Sequence, residues 1–377
     1  MIEKIELSNF KSARCVSIRI AALTVLAGLN GSGKSTTLQA LALLKQSLDL
    51  SKEGDVLALR GPLVNMGRVE DVLFEGAQDD TLKIGVVTSE GAFSLAGAAT
   101  ARSDTLTTVK TGDIAATSGM FSGFQFIQAD RLTPATQYAQ ASTPERAAGW
   151  LGVRGEYTVD FLEQNADTKV SPRRFCPKNR GDLPEALYEQ VAPTDSLLDQ
   201  TAGWMQQLSP GVRLRPAVVE LADATSLRFE YTGTGVDSGS RQHRPGNVGF
   251  GLTYCLPIVV ACLAAPPGSL LLLENPEAHL HPRGQFALGL LLASCASDEV
   301  QILVETHSDH VLNGIRVAAK SSVIDPENVV VHFFRRDIES GESTVFSPEL
   351  LDNGRFSEWP EGFFDEWSKA LEELLED

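Results

Sequence analysis

The sequence predicts an α/β protein with a mixed sheet and flanking helices, an antiparallel β subdomain and an inserted, mostly helical lobe. Three observations predict it. The stretch Gly28-Leu29-Asn30-Gly31-Ser32-Gly33-Lys34-Ser35 fits the pattern G-x-x-x-x-G-K-[ST] without a mismatch. An apolar run, Ala21 to Ala27, precedes it as a strand, and Thr36 to Leu48 follows with Leu38, Leu41, Leu44 and Leu48 at helical spacing. Beyond Gly268, strands alternate regularly with helices, which implies a parallel sheet covered on both faces. Between these parts, Thr81 to Thr88 and Ala92 to Leu95 alternate apolar with polar, the period of an antiparallel sheet with one wet face.

In chain order, residues 2–7, 16–20 and 22–27 read as strands, with Ser8 to Ser12 as a turn. The helix after the glycine-rich loop runs to about Leu48. A Thr/Ser/Gly-rich tip reaches Gly123, and a strand from Phe124 to Gln128 ends in Ala129-Asp130-Arg131. Residues 134–210 hold polar helices and several prolines, the inserted lobe. Strands resume at 213–221 and 226–231, and a polar glycine-rich loop, Gly233 to Gly246, leads to a helix over 248–264. Then come strand 269–274, helix 284–296, strand 300–305, helix 309–320, strands 329–334 and 342–346, and an acidic helix over 363–375. Four segments follow: 1–133 with the loop and the antiparallel subdomain, 134–210 as the lobe, 211–347 as the second part of the main domain, and 348–377 as an acidic C-terminal extension.

Composition excludes some roles. A net charge of −17 opposes coating free nucleic acid by bulk attraction, so DNA would need a local basic patch or a basic partner. The richest basic material is Arg173 to Arg180, with Arg241, His243 and Arg244; solvated loops are the plain reading of it. The N-terminus is a strand pattern and not a signal peptide. The apolar stretch Leu252 to Leu273 is broken by Pro257, Pro266-Pro267 and Gly268 into helix, turn and strand, which argues against a membrane span. Five cysteines without a C-x-x-C pair, Cys255 and Cys262 among them on one helix face, point to a reducing, cytoplasmic setting.

The glycine-rich loop reads as the phosphate-binding loop of a P-loop NTPase. Its glycines turn backbone N–H groups onto a polyphosphate, Lys34 adds a charge at the terminal phosphates and Ser35 a hydroxyl for Mg²⁺. Asn30, Gly31, Ser32, Gly33 and Thr36 complete the cofactor-binding set. Ser269 to Glu274 is an apolar strand ending in a carboxylate, and Glu274 is the candidate acid that holds the metal through water.

After it come Asn275-Pro276-Glu277-Ala278-His279-Leu280-His281-Pro282 and then Glu305-Thr306-His307-Ser308-Asp309-His310. Together with Leu7 to Ser12 and the P-loop, these resemble the soluble branch of the ATP-binding-cassette ATPases. That branch includes the structural-maintenance-of-chromosomes (SMC) proteins, RecF and the OLD-family ATPases. The run from Arg244 to His310, with Trp359 to Asp365, looks like a bacterial subfamily of AAA ATPases bearing a short C-terminal extension of unassigned function. The resemblance implies an SMC-head type of fold, ATP and Mg²⁺ as cofactors, and a homodimer or higher oligomer closing on two ATP molecules. It also implies a separately encoded effector and a role in DNA repair or anti-phage defence.

Residue roles follow from the same likeness. Asn247, Gly249 and Gly251 stand where the family places the signature helix that faces the partner protomer's γ-phosphate. His307 occupies the switch-histidine position, and Ala278 to His281 the loop that crosses to the other protomer. Gln128 stands for the glutamine that senses Mg²⁺, with Arg131 beside it equally suggestive of a phosphate or partner contact. One departure matters. The family's catalytic glutamate directly follows the metal acid, and here that position is Asn275, an amide that orients water but takes no proton from it. Glu277 or Glu305 is left as base, or hydrolysis is slow.

Other classes remain. His279, His281, His307 and His310, with Glu277, Glu305 and Asp309, also have the look of a di-metal hydrolase or nuclease. The OLD-type nuclease adds a metal domain after the ATPase. The residues after His307 read as two strands and an acidic tail, which is expected to be too little for that domain.

Overall fold

The computed structural model describes all 377 residues except 100–102, 118, 178–191, 232–240, 361, 364–365 and 376–377. The chain divides into two units. One comprises Met1–Phe121, Leu303–Asp309 and Ala319–Asp377; the other comprises Ser122–Ile302 and His310–Ala318.

The first unit opens with β1 (Ile2–Phe10), β2 (Ala13–Arg19) and β3 (Leu23–Gly28), followed by α1 (Lys34–Leu50). All six residues of β3 are buried, as an apolar strand flanked on both sides requires. β1 runs on through the stretch read as a turn, pairing Ser8 with Cys15 and Phe10 with Ala13. Burial of Phe10 holds the strand together there, and the left-handed residues Asn9 (φ 49°) and Lys11 (φ 55°) confine the turn to its end. Next come β4 (Val56–Ala58), α2 (Val69–Val72), β5 (Thr81–Thr88), β6 (Gly91–Ala98), β7 (Thr105–Thr107) and β8 (Val109–Gly112). The order β2-β1-β5-β6-β8 makes the antiparallel subdomain, and β4 pairs with β7. The Thr/Ser/Gly-rich tip thus carries two short strands that its composition did not predict.

The second unit begins with β9 (Gln125–Ile127), β10 (Tyr138–Ala139), α3 (Thr143–Ala147), α4 (Thr158–Gln164) and α5 (Leu197–Leu208). It continues with β11 (Val212–Val219), β12 (Ala224–Tyr231), α6 (Phe250–Ala264), β13 (Leu270–Glu274) and α7 (Pro282–Ala296). The strands β10-β12-β11 form an antiparallel sheet, and β13 runs parallel to β9. α6 is nearly all buried and keeps Pro257 inside it. Cys255, Cys262 and Cys295 are fully buried thiols of this core, and burial pushes Cys255 up to about 12. Among the described residues no helix is long and apolar enough to cross a membrane.

The division between the units falls within β14 (Gln301–Thr306), and α8 (Asp309–Lys320) follows. The chain ends in the first unit with β15 (Val329–Arg336), β16 (Ser343–Phe346) and α9 (Glu366–Leu375). β15 lies parallel to β3 with Val329 opposite Leu23 and Phe334 opposite Gly28, and β16 pairs antiparallel to β15. Phe363 is buried with its ring 4.7 Å from Phe333, so the segment ahead of α9 packs, whereas Leu371, Leu374 and Leu375 of α9 are exposed. The side chains of Phe364 and Trp367 lie outside the described residues.

Candidate nucleotide-binding site

In the first unit the buried strand β3 delivers the chain into the P-loop, and α1 begins at Lys34 with Gly33 as its N-cap. Gly28 (φ 146°), Gly31 (φ 74°) and Gly33 (φ 102°) take backbone conformations that side chains disfavour. Two of them also have no room for one. A Cβ on Gly28 would strike the Phe334 carbonyl oxygen, and a Cβ on Gly33 would strike the hydroxyls of Ser343 and Ser12. Lys34 is almost wholly buried, donating from Nζ to the carbonyls of Gly28 (3.0 Å) and Leu29 (2.7 Å). The buried carboxylate of Glu305 stands 3.8 Å from the same Nζ. Ser32 is buried, and its Oγ has no hydrogen-bond partner among the described residues. Such an orphaned buried hydroxyl is a group that a phosphate oxygen satisfies. Leu29, Asn30 and Gly31 are exposed, Ser35 is half-buried and Thr36 is buried.

The loop is braced from the far end of the chain. Ser343 Oγ donates to the Ser32 carbonyl (2.8 Å) and lies 2.7 Å from Ser12 Oγ. A hydroxyl has one hydrogen to give, so Ser12 donates to Ser343 when Ser343 serves Ser32. The Ser343 N–H donates to the Ser12 carbonyl (2.8 Å). His307, just beyond β14, has an exposed ring hydrogen-bonded to the backbone of Gly28. Partial burial, then the charge of Lys34, lowers its pKa, which the Gly28 bond partly offsets, so the ring is neutral at pH about 7.

In the second unit Glu274 closes β13. The register Leu271–Gln125, Leu272–Phe126, Leu273–Ile127 brings Gln128 beside it at the carboxyl ends of two parallel strands. One Glu274 carboxylate oxygen accepts the Ala129 N–H at 2.9 Å. Arg131 lies beneath this turn, wholly buried. Its guanidinium donates to the carbonyls of Gln128 (3.0 Å), Glu274 (2.6 Å) and Asn275 (2.6 Å) and rests 4.2 Å over the Tyr254 ring. Asn275 is left-handed (φ 42°), with its side-chain oxygen buried and without a hydrogen-bond partner among the described residues. Glu277 is buried two residues on. His279 (φ 64°) sets its ring 4.6 Å from Phe250 and 5.0 Å from Tyr254, while His281 caps α7 by accepting the Arg283 N–H at 3.3 Å. Gly249 caps α6 at φ 83° with open space around it, and Asn247 sits in a single 3-10 turn ahead of the helix. Gly251 lies against the His279 carbonyl.

A family model described as an AAA domain, putative AbiEii toxin of a Type IV TA system, matches residues 23–313. The chain belongs to this AAA-domain family. Its matched span starts in β3 and holds every site residue named above except Ser12 and Ser343. A second model, described as a protein of unknown function, matches residues 324–374, the segment that contributes Ser343. Solved structures similar to this AAA-domain protein include an SMC head bound to the C-winged helix domain of ScpA, with a TM-score of 0.53 and 17% identity over 93% of this chain and 98% of that one. The Smc head domain with an extended coiled coil, bound to the C-terminal domain of ScpA from Pyrococcus furiosus, gives 0.51 and 15% over 99% of each chain. At such identities the likeness is one of fold, an SMC-head-like α/β architecture. Comparison with curated proteins finds no match.

Within the AAA-domain protein, the first unit gathers Asn30 to Thr36 with His307, and the second gathers Gln128, Glu274, Asn275 and Glu277, with Gly251 against the same loop. Arg131, expected as a phosphate or partner contact, is instead a buried brace, because three backbone carbonyls take donors from its two terminal nitrogens. Arg174 of the expected basic run is also buried, 2.8 Å from Asp298 and bonded to the carbonyls of Cys262, Ala265 and Asp298. Lys178 and Arg180 lie outside the described residues. Sequence reasoning missed Ser12 and Ser343. Among the described residues no three His, Cys, Asp or Glu side chains cluster as metal donors.

Proposed function

We propose that this chain binds ATP, hydrolyses it slowly, and works as a nucleotide-gated homodimeric switch for a separately encoded effector. The observation that carries the reading is the P-loop itself: three glycines in backbone conformations that side chains disfavour, a buried Lys34, and an unmet Ser32 hydroxyl. Membership of an ATPase-type AAA family supports it. We assign Ser35 and Glu274 to magnesium, since hydroxyl and carboxylate oxygens suit a hard cation. When bound, magnesium neutralises charge on the phosphates. The neutral His307 ring, bonded to Gly28 at the loop, is assigned to sensing the terminal phosphate. Slow turnover follows from Asn275, whose amide orients water without accepting its proton. The open N-terminus of α6 at Gly249 is offered to a second protomer's nucleotide. The family's description as a putative toxin of a Type IV TA system supports a defence role.

The test is solution size with ATP, with ADP and without nucleotide. Wild type should dimerise with ATP alone. Lys34→Ala should stay monomeric and lose ATP affinity by roughly 100-fold, the weight of charge-assisted hydrogen bonds of about 3 kcal/mol. A wild type whose size ignores ATP rejects the switch.

The serine brace gives a second expectation. Ser343→Ala should weaken ATP binding about five-fold, the equivalent of one hydrogen bond of about 1 kcal/mol. Ser12→Ala added to Ser343→Ala should cost little more, because the two hydroxyls act as one relay. Fully additive losses in isothermal titration would show that they act separately.

A further inference from the structure

The second unit carries a row of arginines that nucleotide binding does not use. In the β11–β12 register Arg215 lies opposite Arg228, and Arg213 opposite Glu230. On the other side of β12, the Phe229 N–H donates to the His243 carbonyl (3.0 Å) and the His243 N–H to the Phe229 carbonyl (2.7 Å). That antiparallel pair puts Arg244 opposite Arg228 and Gln242 opposite Glu230, and the Gln242–Glu230 hydrogen bond of 3.1 Å agrees with it. Leu214, Leu227 and Phe229 are core residues. By strand alternation Arg213, Arg215, Arg228, Glu230 and Arg244 therefore share the outer face. Arg215, Arg228 and Arg244 form one cross-strand row, with Arg213 in the next.

The row is costly for the fold. Like charges directly opposite in a sheet are destabilising. In a chain of net charge −17, these positions hold four arginines and a single carboxylate, Glu230, which Arg215 engages at 2.9 Å. Arg228 and Arg244 have no ion-pair partner among the described residues. Arg215 and Arg244 are exposed; Arg213 and Arg228 are half-buried.

We propose that this face binds the phosphate backbone of nucleic acid. Guanidinium forks match phosphate oxygens, and strands about 5 Å apart set them at regular intervals on a stiff support. Neither row contains an aromatic ring, so the contact reads backbone and not bases, and it lacks the aromatic anchor on which protein interfaces centre. The excess negative charge of the rest of the chain keeps the affinity modest and the salt dependence steep. The inference does not depend on the nucleotide reading.

Anisotropy of a labelled mixed-sequence duplex of about 20 base pairs, titrated with the full chain without nucleotide, tests it. With four arginine contacts, log K should fall against log salt with a slope of about −3 to −4, near 100-fold between about 50 and 200 mM. The double variant Arg228→Gln/Arg244→Gln should lose about two from that slope while melting no lower than wild type, because it removes like-charge repulsion. Arg173→Gln, whose guanidinium bonds the Ser297 carbonyl at 2.6 Å, should bind as wild type does. No binding at about 50 mM salt, or a double variant that binds like wild type, overturns the proposal. Competition by polyglutamate as strong as by unlabelled duplex also overturns it, assigning the face to an acidic protein.

Discussion

Arg131→Met is expected to lower unfolding stability by about 3–5 kcal/mol, the range for removing one side of a buried charged network. Methionine fills much of the same volume but donates nothing. The part-buried carbonyls of Gln128, Glu274 and Asn275 would then lose the guanidinium that serves all three. Leaving a buried acceptor unmet costs about 1–3 kcal/mol, and neighbours in one network do not add fully. Against a total of roughly 5–15 kcal/mol the variant is marginal or unfolded. Burial lowers the pKa of Arg131, with the nearby Tyr254, Cys255, Glu277 and Glu274 opposing the shift, so the charge is tolerated because the surroundings are arranged for it. Arg131→Lys should fall between, keeping the charge and losing the fork. Urea midpoints of the three proteins give the comparison. If Arg131→Met unfolds within about 1 kcal/mol of wild type, other donors have replaced it and the brace is dispensable.

Arg131 also marks where the sequence stops being readable. A contiguous string carries the P-loop, and another carries Glu274-Asn275-Pro276-Glu277, because each candidate segment lies within one strand-to-turn passage. Their secondary structure follows from runs such as Leu270–Leu273, which are apolar because both faces are covered. What a side chain meets across the fold is not written locally. Arginine after a strand end suggests an anion, and only the path of the turn shows that three carbonyls absorb it. Ser343 and Ser12 are 331 residues apart, and neither sits in a pattern that marks it as a partner of the loop. Basic content misled in the same way. Arg173 and Arg174 are adjacent in sequence but spent on backbone carbonyls and Asp298, whereas Arg215, Arg228 and Arg244 are scattered in sequence and aligned by strand register. At Ser8–Ser12 local turn propensity lost to the burial of Phe10.

Acid should destabilise the first unit through His332. The residue lies on β15 beside β3, buried, with Nε2 2.7 Å from the Arg19 carbonyl and Nδ1 2.6 Å from Ser347 Oγ. A carbonyl only accepts, so Nε2 carries the hydrogen and Nδ1 accepts from Ser347. A second ring proton has nowhere to go unless Ser347 turns, and burial already holds the pKa down at about 4 against an ordinary 6.5, with the Arg19 carbonyl bond opposing the shift. The sign follows from linkage. Below about pH 6.5 the unfolded chain takes up a proton that the folded chain refuses until about pH 4, so stability is present above this window and is lost as pH falls through it. At 1.36 kcal/mol per unit the loss is about 2 kcal/mol between about pH 6.5 and pH 5. The pKa of His307 is lowered too, and carboxylates titrate near the lower end, so wild type alone does not isolate the effect. His332→Gln does, since glutamine cannot charge. The variant should be less stable at neutral pH and less sensitive to acid, and the gap between the two urea midpoints should narrow steadily toward about pH 5. Parallel decline of the two proteins would assign the acid sensitivity to other groups.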